Sequence, residues 1–344
     1  MESNKVIGGE FECVVQRCNT VLDSYISCKP YTYSSGRAAL YNILLTCRNL
    51  FSSSVIYLPD YLCSTIIDTV EKADFQYVFY PIRSLNAEYA DLEGFRWGGV
   101  MLLIDYQGIV DTEPLIIKLK NNRPDLIIVK DLVQSPYHLS INSFADFQFT
   151  SFRKIFPVPD GAWVLTKHSM KQPSLSSRFS QYKLAASLLK SHRSLGYYND
   201  KIYLDLYNEG EKLIDEDITC YDMSNFTKKN ISLIDWQLIA ETRRKNASII
   251  LAGLTDLRVD TLAPVSDKSV PLFIPVWLEN RDKVRKAMFR NNIFLPVHWS
   301  IERCEDKLNS GRNYAKHELS IIIDQRYNES DMLKILDILE KNYQ

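Results

Sequence analysis

Ser151-Phe152-Arg153-Lys154 follows a β-rich run, Phe147-Gln148-Phe149-Thr150. Asp131, 23 residues upstream (154 − 131), closes another, Leu126-Ile127-Ile128-Val129-Lys130. A lysine just past one strand and a carboxylate ending a second are what pyridoxal phosphate chemistry requires. The amine can hold the cofactor as an imine, and the anion can keep its ring nitrogen protonated. The amine must be neutral when it attacks, and burial favours that state by penalising the ammonium. The plain alternatives are an exposed lysine before a loop and a strand-end carboxylate capping a turn. Asp131 also leads into Val133 and Gln134, where an apolar side chain could support a flat ring and an amide could bond a ring hydroxyl.

Such a cofactor also needs a phosphate cradle. Ser34-Ser35-Gly36-Arg37 stands immediately before a helical run, so backbone N–H groups, the helix dipole and the Arg37 guanidinium could converge on a phosphate. Serines and a glycine also cap helices without binding anything.

These residues need strands to present them. Short β-rich runs recur at 55–58, 76–80, 100–104, 126–129, 147–150 and 162–165, with helical stretches at 37–45 and 64–72 between several of them. This is the α/β pattern of a mostly parallel sheet with helices on both faces. Ligands gather beyond the carboxyl ends of such strands, where Asp60, Asp105, Asp131 and Lys154 are expected. A long helical pattern near 230–256 then sets Trp236, Ile239, Ile249, Ile250 and Leu254 against a solvated side of Glu241, Arg243, Arg244 and Lys245. The expected division is a large cofactor-binding α/β domain over 1–235, a connecting helix over 236–256 and a small α+β domain over 257–344. In that last part, strands at 270–277, 293–297 and 319–323 accompany a charged helix from Asn280 to Asn291. A terminal helix follows, with Ser330 as its cap and Met332, Ile335, Leu336 and Leu339 on one face. His298-Trp299 could reach a substrate or simply pack, and Arg326-Tyr327 reads as structural.

The chain's totals exclude several classes. Forty-one basic against 42 acidic side chains leave a net charge of −1, with no basic run for nucleic acid. No apolar run approaches the ~18 residues of a membrane span, and the N-terminus shows no apolar leader. Seven scattered cysteines without a C-x-x-C pair read as reduced thiols rather than disulfides or a zinc site. A cytoplasmic protein is expected.

The signals come in one chain order, and together they resemble the DegT/StrS sugar aminotransferases among the fold-type I pyridoxal-phosphate enzymes. The resemblance runs through SGRAALYNIL, VIYLPDYLCSTI, DYQG, VKDLVQSP, FQFTSFRKIFPVPDGAWVL, ETRRKNASIILAGL, NNIFLPVHW and DQRYNESDM. It implies Lys154 as the Schiff-base lysine, Asp131 as the partner of the pyridinium nitrogen and Gln134 beside the ring hydroxyl, with Val133 against the ring. Ser35, Gly36, Arg37 and Ser151 fall at the phosphate, and His298 at the substrate. The chain has Arg37 where the family commonly has threonine, and Cys63 where it has an aromatic stacked on the cofactor, with Tyr61 as a substitute. Pro159-Asp160-Gly161-Ala162 replaces the usual Glu-Gly-Gly, as in a divergent branch. Asn225 is the counterpart of an asparagine that reaches the neighbouring subunit's phosphate. The resemblance further implies a homodimer with shared active sites, moving an amino group, from glutamate, to a keto-deoxysugar nucleotide in surface polysaccharide synthesis. Related dehydratases carry histidine in place of the lysine; a degenerate homologue with a binding role is the third possibility.

Overall fold

A computed structural model describes residues 5–13, 29–82, 85, 99–193, 199–216, 221–299 and 310–343. The first half runs β1 (Ile7–Gly8), β2 (Tyr31–Tyr33), α1 (Gly36–Phe51), β3 (Val55–Pro59), α2 (Ser64–Lys72), β4 (Gln76–Tyr80), β5 (Val100–Ile104), α3 (Glu113–Asn122), β6 (Ile127–Leu132), β7 (Phe147–Thr150) and β8 (Ala162–Thr166). The second half runs α4 (Phe179–Ser191), α5 (Asp200–Glu216), α6 (Asn225–Asn230), α7 (Trp236–Leu257), β9 (Phe273–Trp277), α8 (Arg281–Arg290), β10 (Ile293–Phe294), α9 (Ser310–His317), β11 (Glu318–Ile322) and α10 (Glu329–Glu340).

Seven strands form the main sheet in the order β2-β8-β7-β6-β5-β3-β4. β3 through β7 pair in parallel, and β8 runs antiparallel to both β7 and β2. β5 and β6 are buried at every position, as parallel strands covered on both faces must be, and the sequence is accordingly a continuous apolar run through β5 and through Ile127–Val129 of β6. β4, at the edge, alternates instead. The six expected strands are all present; β2, only three residues long, carries no pattern of its own.

β9 and β11 form a second, antiparallel pair, and β1 joins β10 in parallel. A separate apolar core there includes Ile250, Leu254, Val284, Met288, Ile335 and Leu339 from α7, α8 and α10. The cap of α10 is Asn328 rather than Ser330. Its side chain accepts the Asp331 amide while the Asp331 carboxylate accepts the Asn328 amide, a reciprocal box that a serine two residues into the helix cannot make. No helix among the described residues is long and apolar enough to cross a membrane.

A third cluster bears directly on function. Phe152, Ile155 and Phe156, flanking Lys154, are buried with Trp163, Trp236 and Ile239. Phe152 meets Trp163 edge-on at 4.8 Å and Phe156 lies 4.4 Å from Trp236. Each buried ring contributes roughly 1.5–3 kcal/mol, enough to hold the short turn after β7 in one place.

Candidate active site

Asp131, near the end of β6, lies beside Ile104 of β5 and Phe149 of β7. Its Oδ1 accepts the Val133 amide at 2.8 Å, a local turn that aspartate forms readily as a strand ends. Burial raises its pKa from 3.8 to about 7; the Val133 amide and the charge of Lys154 oppose the rise, and Asp105 adds to it. The other strand-end aspartates are spoken for. Asp60 accepts the Ile82 amide at 2.8 Å, and Asp105 holds Thr112 and, at 2.7 Å, His138. Neither lines the cavity that Asp131 faces.

That cavity, about 160 Å³, brings together Asp131, Val133, Gln134, Ser151 and Lys154 with Ser35, Gly36, Arg37 and Cys63. Lys154 makes no hydrogen bond or ion pair among the described residues, and its amine is free to react. Loss of hydration lowers its pKa against the pull of Cys63 and Asp131, and the Arg153 and Arg37 charges add to the lowering.

Gln134 is oriented by the turn after β5. Gln107, at φ 57°, donates its amide to Gln134 Oε1 at 3.0 Å. The carboxamide nitrogen is therefore the end left over, and Gln134 Nε2 is buried without a partner. Arg153 Nε is a second buried donor without an acceptor. One stands beside Asp131 and the other beside the start of α1. A flat ring bearing a hydroxyl and a phosphate would satisfy both, and the donor set fits pyridoxal phosphate.

Ser35 caps α1, its Oγ accepting the Ala38 amide at 3.1 Å, so the helix starts at the cavity wall. Gly36 is required by close approach: a Cβ there would lie 2.9 Å from Val133 Cγ2 and 3.4 Å from Ser151 Cβ. The remaining free amides of this first turn, with the helix dipole, favour an anion.

Among the remaining expected residues one, Tyr61, is corrected. Arg37 lines the cavity, but its guanidinium is committed to Asp215 and Glu211 of α5. Arg153 shares Glu211 at 2.7 Å, as does Lys183 at 2.6 Å; burial is outweighed by these cations, and the Glu211 pKa falls to about 2. Tyr61 does not line the cavity. It is buried between Tyr106, Tyr314 and Trp299, with its hydroxyl donating to the His298 carbonyl at 2.6 Å. Trp299 reaches the wall instead, alongside Phe149, from a segment some 240 residues further on, beyond any local pattern. Asn225, which the resemblance directs to a neighbouring subunit rather than to this chain's own cavity, is exposed at the start of α6.

A larger cavity of about 910 Å³ opens on the other side of Arg153 and Lys154 and is lined in part by His298. His298 Nδ1 lies 2.9 Å from Ser320 Oγ and 3.4 Å from Gln107 Nε2. Arg243 lines it too. The helical periodicity puts Arg243 with Arg244 on the solvated side of α7, yet its guanidinium is fully buried because the Pro271 and Leu272 carbonyls require its donors. Lys154 thus lines both a small cavity and a roomier one.

In its fold the chain is similar to solved sugar aminotransferases and to a sugar dehydratase with bound PLP. No family model and no curated protein matches the sequence, so the likeness is carried by the fold alone. Among solved structures, DesV of S. venezuelae, in complex with a ketimine intermediate, superposes with a TM-score of 0.65 at 16% identity over 94% of this chain and 90% of its own. A DegT DnrJ EryC1 StrS aminotransferase from Brucella abortus gives 0.61 at 14% identity, over 93% and 87%. The E coli GDP-4-keto-6-deoxy-D-mannose-3-dehydratase with bound hydrated PLP gives 0.63 at 12% identity, over 92% and 89%.

Proposed function

We propose that the chain is a divergent member of the DegT/StrS aminotransferases, moving an amino group, from glutamate, to the ketone of a deoxysugar nucleotide. The observation that carries this is the unpartnered Lys154 amine in one cavity with the buried Asp131 carboxylate and the orphaned Gln134 Nε2. Pyridoxal phosphate, when bound, supplies the electron sink that lets a Cα–H bond of the donor break. Lys154 would anchor it, Gln134 Nε2 would donate to its ring hydroxyl, and Ser35, Gly36, Ser151 and Arg153 would hold the phosphate. Asp131 would keep a proton on the ring nitrogen. Lys154 Nζ, its ammonium disfavoured by burial, is the group placed to take the Cα proton and return it. Phe152 and Phe156 keep that amine in position through their packing on Trp163 and Trp236.

The lysine also favours transfer over dehydration, since the related dehydratases carry histidine there. A homodimer sharing its sites, with Asn225 directed to the second subunit, completes the reading, in a cytoplasmic route to surface polysaccharide.

Borohydride reduction of the purified protein followed by peptide mass spectrometry should place a pyridoxyl group on Lys154. Incubation with glutamate and a panel of keto-sugar nucleotides should then give an amino sugar by mass. An unmodified Lys154 refutes the cofactor assignment; a deoxygenated ketone refutes transfer and leaves the cofactor standing.

A further inference from the structure

Behind His298, on the wall of the larger cavity, stands a buried acid with no part in the Lys154 chemistry. Glu318, at the start of β11, is 0% exposed, and both its oxygens are occupied. Oε2 accepts the His298 main-chain N–H at 2.6 Å, and Oε1 accepts the Ser320 hydroxyl. A hydroxyl has one hydrogen, and Ser320 spends it on Glu318. Ser320 Oγ, 2.9 Å from His298 Nδ1, must therefore accept from the ring, which assigns the imidazole's proton to Nδ1. Gln107 Nε2 lies 3.4 Å from the same nitrogen, but the shorter bond decides, and an amide donor has nothing to bond on an N–H.

This leaves Nε2 bare. It has no partner among the described residues, and the side chain, 12% exposed, lines the larger cavity together with Lys154. The residue types are those of a hydrolytic triad, but their order is not. Ser320 is 0% exposed and sits between the acid and the ring, so it passes on an orientation and attacks nothing. The segment is pinned from the other side as well, since Tyr61 donates its hydroxyl to the His298 carbonyl at 2.6 Å. A ring fixed at Nδ1 and at both main-chain groups of its residue, with its second nitrogen unclaimed, is a pre-set acceptor that can also carry a proton.

We propose that His298 Nε2 is a second proton-exchanging group of this site, acting on a substrate oxygen, and that Ser320 and Glu318 are positioning residues that fix its tautomer. When a ketone oxygen is exchanged for nitrogen, a carbon–oxygen double bond gives way to a carbon–nitrogen one and the oxygen leaves as water. The oxygen has then gained two protons and the nitrogen has lost two. The neutral ring can take each proton from the nitrogen at Nε2 and hand it to the oxygen, ending as it began, while Nδ1 keeps its own proton on Ser320 throughout. No outside acid is needed. Lys154 keeps the Cα proton, so the two duties are divided. That division rests on the aminotransferase reading; the tautomer and its cause do not.

Long-range proton–nitrogen NMR of the full chain, labelled at histidine, reads the tautomer without cofactor or turnover, and His298→Gln identifies the signal among the five histidines. In its neutral form the wild-type ring should carry its proton on Nδ1 and leave Nε2 bare. Glu318→Gln should invert this. Its carboxamide oxygen is drawn to the His298 main-chain N–H, its NH2 then donates to Ser320, and the serine hydrogen turns to Nδ1, which must give up its proton. With cofactor and glutamate in deuterated water, keto-acid release by Glu318→Gln should fall at least ~100-fold relative to exchange of the Cα proton, the step assigned to Lys154. A merely structural loss would lower both together. Thermal unfolding checks that the variant folds; the wild-type tautomer is a test even if it does not. A neutral wild-type ring protonated on Nε2, an unaltered tautomer in folded Glu318→Gln, or an unchanged ratio of release to exchange overturns the proposal. The assigned tautomer in a protein that exchanges no amino-acid Cα proton upholds the relay and refutes the aminotransferase reading.

Discussion

Asp131→Asn has opposite consequences for the empty and the loaded protein, and the structure sets the size of the first. Burial holds the Asp131 carboxyl at about 7 against an ordinary 3.8. Between those pH values the folded, cofactor-free chain keeps a proton that the unfolded chain has released, so stability falls as pH rises through the window. Above pH 7 both states are ionised and the whole penalty is present. At ~1.36 kcal/mol per pH unit it amounts to something on the order of 4 kcal/mol. Asparagine cannot ionise, and its Oδ1 can still accept the Val133 amide that Asp131 holds at 2.8 Å. Cofactor-free Asp131→Asn should therefore be about 4 kcal/mol more stable than wild type at pH 8 and nearly equal to it at pH 4. Urea denaturation of both proteins at the two pH values, after removal of cofactor with hydroxylamine, reads the difference. With the cofactor bound as proposed, the same change would remove the anion from the ring nitrogen, and turnover should drop at least ~100-fold. A stability difference that does not vary with pH would refute the placement of Asp131 as a buried, proton-retaining carboxyl.

Gly36→Ala would press a methyl to within 2.9 Å of Val133 Cγ2, costing ~1–3 kcal/mol and weakening cofactor binding at least ~10-fold. Val133→Ala in the same chain should restore part of both, as fluorescence titration with pyridoxal phosphate would show. Gln134→Leu strips the acceptor from the buried Gln107 amide, so urea melts should show a loss of ~1–3 kcal/mol and the bound cofactor's absorbance should shift; a melt within ~0.5 kcal/mol of wild type would contradict the assigned bond. Phe152→Ala should destabilise by ~3–5 kcal/mol by opening a hole against Trp163, with loss of the pyridoxyl label on any Lys154 that remains folded.

Local chemistry made much of this site legible. Continuous apolar runs revealed the buried parallel strands, because a strand covered on both faces has no reason to alternate. Asp131 and Lys154 were visible as strand-end residues, and Ser35-Gly36 as a helix start, because capping and strand termination are governed by the few residues involved. The same local rules were too coarse for Ser330, since the stronger competitor Asn328 lies two residues earlier with its reciprocal partner Asp331.

Where the sequence determined an element by short-range preference, the fold kept it. Where a side chain's environment came from a distant segment, only the tertiary structure decided. Arg243 has the helical spacing of a surface residue, yet carbonyls 28 and 29 residues away claim it for the interior. Arg37 and Arg153 both line the cavity and share the α5 acid Glu211, a pairing that no local pattern announced. Tyr61 is withdrawn from the cavity and Trp299 reaches its wall because one aromatic cluster is assembled from residues some 240 apart. A hydrogen bond or an ion pair is satisfied in space, and its free energy depends on burial and on which other groups compete for it. Neither quantity is written in the residues next along the chain.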